Sequence, residues 1–143
     1  MTPRVAALLV LASLCAACSG TDIATAPTNP AGTGTETFSS FLAIGGSSVH
    51  TFSVAQAGNI DVTLTVVTPA AVVGLGVGVP NASGGCGLTS SLDASAAIAD
   101  PTTGATTPQL TIPAVVGTYC AKVYDSGQLG GIGRTFTVTI THP

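Results

Sequence analysis

Charge is scarce in this 143-residue chain: Asp, Glu, Lys and Arg make up 6% of it, and only three residues are basic. A protein that binds nucleic acid needs a patch of Lys and Arg to face the phosphates, so the composition excludes that class of partner. Glu, Lys and Arg are also among the better helix formers. Their scarcity argues against a helical fold.

Sequence signatures of catalysis and of cofactor binding are missing as well. The chain contains no G-x-S-x-G elbow for a serine nucleophile. Its two histidines, His50 and His142, are far apart and lack the companions that a zinc site needs. The segment GLGVG at 74–78 lacks the third glycine of a dinucleotide-binding fingerprint, because Val79 stands there and Pro80 follows where a helix should begin. We therefore expect no catalytic residue, no metal ion and no cofactor.

The few acidic residues do not form a recognisable calcium loop. Asp61, Asp93, Asp100 and Asp125 do not follow the D-x-[DN]-x-[DN]-G spacing of an EF-hand. A calcium site built from separate loops, with Asp125 and either Asp93 or Asp100, is the alternative that the sequence leaves open.

What the chain has in quantity is glycine, threonine and proline, with 18, 22 and 9 residues. Threonine favours strands, and glycine and proline favour turns. With so few charges, hydroxyl groups and backbone must keep the surface soluble. The composition predicts an all-β domain.

The first 17 residues have the layout of a secretory signal peptide. Arg4 precedes an apolar run from Val5 to Leu14, and small residues follow. This run is too short to span a bilayer, which takes about 20 residues in a helix. We expect the protein to be exported.

Two interpretations of the leader's end are open. The letters CAAC resemble the lipobox of bacterial lipoproteins, in which Ala16 and Ala17 precede a cysteine, Cys18, that is lipidated and becomes the mature N-terminus. The match departs from the family at Cys15, where lipoproteins usually have Leu. In the alternative, Cys15 and Ala17 form an ordinary signal-peptidase site and the product is freely secreted. We expect the lipid anchor at Cys18, and thus a place in the cell envelope, at the outer membrane or cell surface.

Residues 18–35 predict a flexible linker, because small polar residues are mixed with Pro and Gly and show no apolar period. A coil of this length reaches roughly 20–25 Å. Residues 36–143 then form one domain. Without the leader, Lys122 and Arg134 stand against six acidic residues, a net charge of −4.

This domain repeats apolar residues with the two-residue period of half-buried strands. Weaker strand candidates cover 36–44 and 108–113, and 90–100 has the only helical character, at most a single turn. Turn signals separate the runs, so the sequence predicts a small antiparallel β-sandwich of about seven or eight strands. The predicted apolar faces are His50, Phe52 and Val54; Ile60, Val62, Leu64 and Val66; Val73, Leu75, Val77 and Val79; Tyr119, Ala121 and Val123; and Phe136, Val138 and Ile140.

Three stretches, SSVHTFSVAQAGNIDVTLTVV, LTIPAVVGTYCAKVYD and FTVTITHP, together resemble the bacterial pre-peptidase C-terminal domain family. The resemblance covers about residues 36–143. It implies a jelly-roll β-sandwich that is exported, usually beside secreted peptidases and other hydrolases, and that has no catalytic residues of its own.

Cys86 and Cys120 are the cysteines of the domain itself, and an even pair in an exported domain favours a disulfide. On the chain-entropy model, closing a loop of this length stabilises the fold by about 3.8 kcal/mol. The rival interpretation is a catalytic thiol at Cys86, for which the sequence offers no basic partner.

These features predict a non-enzymatic, exported cell-envelope lipoprotein that acts as a surface binding module, with envelope polysaccharide or protein as partner. Contacts would come from exposed Thr, Gly and Tyr124 and from the loops at 80–95 and 125–133. The alternative is a structural protein whose lightly charged edge strands pair with other copies of the chain.

Overall fold

The computed structural model describes residues 32–97 and 106–143. The leader, Cys18 and nearly all of the predicted linker lie outside these residues. The described part contains eight strands: β1 Gly34–Leu42, β2 Ser47–Val54, β3 Gly58–Thr68, β4 Val73–Pro80, β5 Cys86–Ala94, β6 Leu110–Ala114, β7 Gly117–Tyr124 and β8 Arg134–His142.

The strands form two four-stranded sheets, with the order β1-β8-β3-β6 in the first and β2-β7-β4-β5 in the second. All neighbouring strands are antiparallel. Consecutive strands from β1 to β4 alternate between the sheets and pair with strands from the second half of the chain. This is the topology of an eight-stranded jelly roll, which confirms the predicted all-β sandwich.

The core lies between the sheets and is built from the predicted alternation. In β8, Phe136, Val138 and Ile140 are at most 2% exposed, while the threonines between them face outward. Other fully buried side chains come from both sheets, and they include Leu42, Ile60, Val62, Leu64, Val73, Leu75, Val77 and Val123. Burying each such side chain contributes about 1.5–3 kcal/mol, so this layer is the main stabilising element.

The two-residue period is broken in β3, where the predicted burial of Val66 is wrong. Leu64 pairs with Val138 but Val66 pairs with Thr137, so Thr65 is an extra residue in a β-bulge. The bulge moves the following side chains to the opposite face. Val66 is consequently 44% exposed, and Val67 is buried in its place.

The predictions for 80–100 also need correction. Residues 86–94 form the edge strand β5 instead of a binding loop, and 90–94 are therefore extended instead of helical. Residues 98–100 lie outside the described part. Val79 was expected in the core but is 51% exposed, because the pairing between β4 and β7 ends at Gly78 and leaves the end of β4 less covered.

Strand β4 carries glycine at three successive positions of its outer face, 74, 76 and 78. A Cβ atom at Gly74 would collide with the ring of Tyr124, and one at Gly78 would collide with the backbone carbonyl of Gly87. At Gly76 an added Cβ would lie 2.9 Å from the Leu88 side chain. The glycines therefore let neighbouring groups pack directly on the backbone of β4.

We predict that Gly78→Ala destabilises the fold by about 1–3 kcal/mol, the usual cost of overpacking a tight site. The obstacle is a backbone carbonyl, which cannot rotate away as a side chain can. Gly87→Ala is the matched control, because its Cβ would meet only the Val79 carbonyl oxygen, at an ordinary 3.5 Å. Urea unfolding of both variants checks this, and equal midpoints would contradict it.

Candidate functional site on the outer face of the second sheet

The outer face of the second sheet brings together side chains from β7 and β5 on either side of the glycines of β4. Tyr124 and Asp93 are both paired with Gly74, from opposite sides. One step along, Lys122 and Ser91 flank Gly76 in the same way. We call these four residues, Tyr124, Lys122, Asp93 and Ser91, the outer-face site.

The aromatic ring of the site is held in place by the sheet beneath it. The Tyr124 ring packs against the backbone of Gly74, where a larger residue would displace it. The Lys122 ammonium lies 5.6 Å from the centre of that ring, a distance at which a cation–π attraction is about 0.5–1 kcal/mol at an exposed site. Tyr124 is half-buried, so part of its ring faces solvent.

Asp93 supplies a carboxylate at the edge of the site. Its Oδ2 atom accepts a hydrogen bond from Nε2 of Gln128, at 2.9 Å. Gln128 belongs to the loop between β7 and β8, and its Nε2 also donates to Oγ of Ser126, at 3.3 Å. The contact therefore joins that loop to the edge strand β5 and orients the carboxylate of Asp93. The Asp93 side chain is exposed.

The loop itself is fixed from below by Arg134, which is 7% exposed. Its guanidinium donates to the carbonyl oxygens of Leu129, Ile132 and Gly133, at 2.6, 2.7 and 3.2 Å. Leu129 is buried as well. The part of the predicted binding loop that carries Gln128 is thus anchored to the first sheet.

Cys86 and Cys120 form the predicted disulfide, with a Cα–Cα distance of 5.9 Å. The bond joins β5 to β7 across the intervening strand β4, on the same outer face as Lys122 and Tyr124. It leaves Cys86 no free thiol, so the rival interpretation of a catalytic nucleophile is wrong for the oxidised protein. The two strands that carry the site are covalently linked as a result.

A second polar cluster lies at the other edge of the sandwich. Glu36 accepts hydrogen bonds from Nε2 of His50, at 2.7 Å, and from Nε2 of His142, at 3.2 Å. The His50 ring also stacks on Phe38, with centroids 5.2 Å apart. His50, which the sequence placed on the same face as Phe52 and Val54, is thus half-buried at the edge of the core. The Glu36 carboxylate links β2 of one sheet to β1 and β8 of the other.

This cluster makes the stability depend on pH. The hydrogen bond from His50 lowers the pKa of Glu36; burial opposes the shift and the His142 hydrogen bond adds to it. The unfolded chain therefore binds this proton more readily than the folded one. The stabilisation is present above about pH 4.5, the ordinary pKa of Glu, and is lost as the pH falls through the lowered value.

We predict that Glu36→Gln lowers the free energy of unfolding at neutral pH and that the difference from wild type shrinks below about pH 4.5. The reason is that protonation removes the carboxylate charge from the wild type as well. Urea unfolding from about pH 3 to about pH 7 measures this. Parallel curves for the two proteins over that range would contradict it.

The calcium alternative finds no support at Asp125. Its Oδ2 accepts the backbone N–H of Gly45, at 2.8 Å, and its Oδ1 accepts that of Gly127, at 2.7 Å. The Gly45 hydrogen bond is the main cause of a lowered pKa at Asp125. Asp100 lies outside the described residues. Within 32–97 and 106–143, no group of three or more His, Cys, Asp or Glu side chains is arranged to hold a metal ion.

The sequence named Tyr124 and two binding loops, 80–95 and 125–133, that contain Ser91, Asp93 and Gln128, but it did not place these residues beside Tyr124 and did not name Lys122. Lys122 could have been found, since a two-residue step on a strand places it on the Tyr124 face. Asp93 and Ser91 could not, because the segment that contains them was taken for a loop and a helical turn. Gln128 reaches the site through a loop contact that no local pattern encodes.

Within the described residues, no helix is long and apolar enough to cross a membrane. The chain matches no family model, and the search of curated proteins finds no match either. The resemblance to the pre-peptidase C-terminal domain family therefore stays a prediction from the sequence.

Proposed function

We propose that this chain is an exported, lipid-anchored and non-enzymatic protein of the cell envelope that binds a partner through the outer face of its second sheet. The proposal combines the leader and lipobox-like cysteine of the sequence with one structural observation. The outer-face site lies at the opposite end of the sandwich from the point at which the linker enters.

The register of the strands shows that Gly34 and Tyr124 lie at opposite ends of the sandwich. The linker enters β1 at Gly34, which pairs with His142 at the end of β8. Tyr124 is the last residue of β7 and pairs with Ser47, the first residue of β2. A strand of nine residues spans about 30 Å at 3.3–3.4 Å per residue. An anchor at Cys18 would therefore hold the site away from the membrane and toward other molecules.

The rigidity of the face supports a binding role. The disulfide joins β5 and β7, and the packing of Tyr124 on Gly74 restrains the ring. A site whose groups are already ordered loses less conformational entropy when a ligand binds. The same face carries both an aromatic surface and polar groups, the mixture that ligand sites combine for affinity and orientation.

We predict that mass spectrometry of the mature protein finds a diacylglyceryl group on Cys18, with residues 1–17 removed. Cys18→Ala should abolish the lipid and release the protein from the membrane fraction. Cys15→Ala is the matched control and should leave the lipid in place, because Ala is another small residue just before the cleavage site. An unmodified N-terminus near residue 18 in the wild type would overturn the anchoring.

Self-association through an edge strand is the second candidate, and strand β1 favours it. Its nine residues pair with β8 in an unbroken register, so no bulge interrupts its free edge. The only charged residue in β1 is Glu36, which is already bonded to His50 and His142. Bulges and free charges are the features that keep edge strands from pairing with other chains, and β1 has no bulge and a single charge that is already bonded.

If β1 mediates assembly, light scattering should show a particle mass that rises with protein concentration. Thr37→Lys should then restore a monomer, because the added charge lies on an exposed position of the edge strand. Thr118→Lys, an exposed position on β7 and therefore outside the β1 edge, is the control and should not. A wild-type mass that stays monomeric at every concentration would exclude this candidate.

A further inference from the structure

We infer that the outer-face site binds a saccharide, with one sugar ring packed on Tyr124 and its polar groups bonded to Lys122, Asp93 and Ser91. This inference rests on the proposed function and names the ligand class of that site. It goes beyond a general binding role because the four side chains provide an aromatic ring, an ammonium group, a carboxylate and a hydroxyl on one face.

The aromatic ring is the first part of that combination. A pyranose presents C–H groups on its faces, and these pack on an aromatic ring that is accessible and fixed in orientation. Tyr124 meets this need, since its ring rests on the Gly74 backbone and is only half-buried. Tyr combines a large rigid contact area with a polar hydroxyl at its tip, which suits a ligand that is apolar on its face and polar at its rim.

The polar groups are the second part, because sugar hydroxyls need both donors and acceptors. Lys122 supplies an ammonium donor, Asp93 an exposed carboxylate acceptor and Ser91 an exposed hydroxyl that can do either. Asp93 is preoriented by the 2.9 Å hydrogen bond from Gln128. Lys122 lies beside the ring on β7, and Asp93 and Ser91 lie across the glycines of β4, on β5, so polar groups are present on both sides of β4.

The positive charge of Lys122 predicts a preference for acidic saccharides over neutral ones. Of the two basic side chains in the described residues, Arg134 is buried and bonded to backbone carbonyls. Lys122 is the other, and it forms no ion pair within that part of the chain. An acidic sugar would place its carboxylate on this ammonium. We therefore expect an oligosaccharide of uronic acid to bind more tightly than a neutral one.

A saccharide fits this face better than a peptide strand does. An extended peptide adds to the free backbone edge of a sheet. The site instead consists of side chains on the outer face, two from the inner strand β7 and two from the edge strand β5. A shallow contact with one ring predicts weak binding, with Kd near 1 mM, or about −4 kcal/mol. Display of many copies on one surface would raise the avidity.

Tyrosine fluorescence gives a direct test, because the chain has no Trp and only two Tyr. The background is Tyr119→Phe, which leaves Tyr124 as the only tyrosine. Tyr119 packs against the core cluster and bonds to the backbone of Val115 through its hydroxyl. The full mature protein is titrated with two probes, an oligogalacturonate and a chito-oligosaccharide. We expect saturable changes with both, and a lower Kd for the first.

Variants then locate the binding, measured by NMR titration in the otherwise wild-type chain. Tyr124→Ala should raise Kd at least tenfold for both probes, while Tyr124→Phe keeps the ring and should stay within about threefold, a difference under 1 kcal/mol. Lys122→Gln should remove the preference for the acidic probe. Thr37→Ala, on the outer face of the first sheet, is the control and should bind as wild type does. Thermal unfolding confirms that each variant is folded.

Two results would overturn the inference: an unchanged Kd in folded Tyr124→Ala, or no response to either probe up to tens of millimolar. Both can be separated from failure of the proposed function by using isolated cell envelopes as ligand. If the anchored protein binds envelopes but envelopes treated with periodate bind equally well, the partner is not a saccharide and the binding role stands. If envelopes do not bind at all, the proposed function itself fails.

Discussion

The burial of one aliphatic face per strand between two sheets is the constraint on which the rest of the molecule depends. It requires alternation, and it leaves the outward positions free to be hydroxyl residues, which is how a chain with 6% charged residues keeps a polar surface. The alternation is interrupted at two β-bulges. The bulge at Thr65 exchanges Val66 for Val67, and a second irregularity lies opposite Val77 and Gly78, where β5 has the extra residue Thr89. Each bulge shifts the residue register, and so changes which side chains reach the core, while the same two strands stay paired.

The inner face of β4 forms part of the core, whereas its outer face has no side chain at positions 74, 76 and 78, which are glycines. The three glycines let Tyr124, Leu88 and the backbone of Gly87 lie directly on the strand. The cost is backbone entropy, since glycine in a strand destabilises by about 0.5–1 kcal/mol relative to alanine. The disulfide across the same strand, between Cys86 and Cys120, offsets that cost by about 3.8 kcal/mol on the chain-entropy model. The glycines raise the conformational entropy of the unfolded chain, and the disulfide lowers it, so the two effects on stability oppose each other.

The sequence predicted features that follow from a local two-residue period, and it missed features that depend on contacts between distant segments. The strands around Ile60 and Phe136 were predicted because alternation is local and needs no knowledge of neighbours. Cys86 and Cys120 were paired by elimination. In contrast, β5 was missed, since Ser and Ala at 90–97 carry little strand propensity and its conformation is imposed by pairing with β4. The contacts of Glu36 with His50 and His142 were unpredictable for the same reason: residues 14 and 106 positions apart meet only once both sheets are assembled.

The distribution of polar groups along the strands separates two functions of the sandwich. Near the end where the linker enters, Glu36 bonds to His50 and His142, and these contacts join the two sheets. Near the opposite end, Asp125 and Arg134 bond mainly to backbone groups and fix the loops. Lys122, Tyr124 and Asp93 lie beside those fixed loops yet retain exposed surface. The fold therefore bonds most of its few charged groups to other parts of the protein. Lys122, Asp93 and Tyr124 differ in that they keep exposed surface on one outer face, and this difference is the reason that the proposed binding role is assigned to that face.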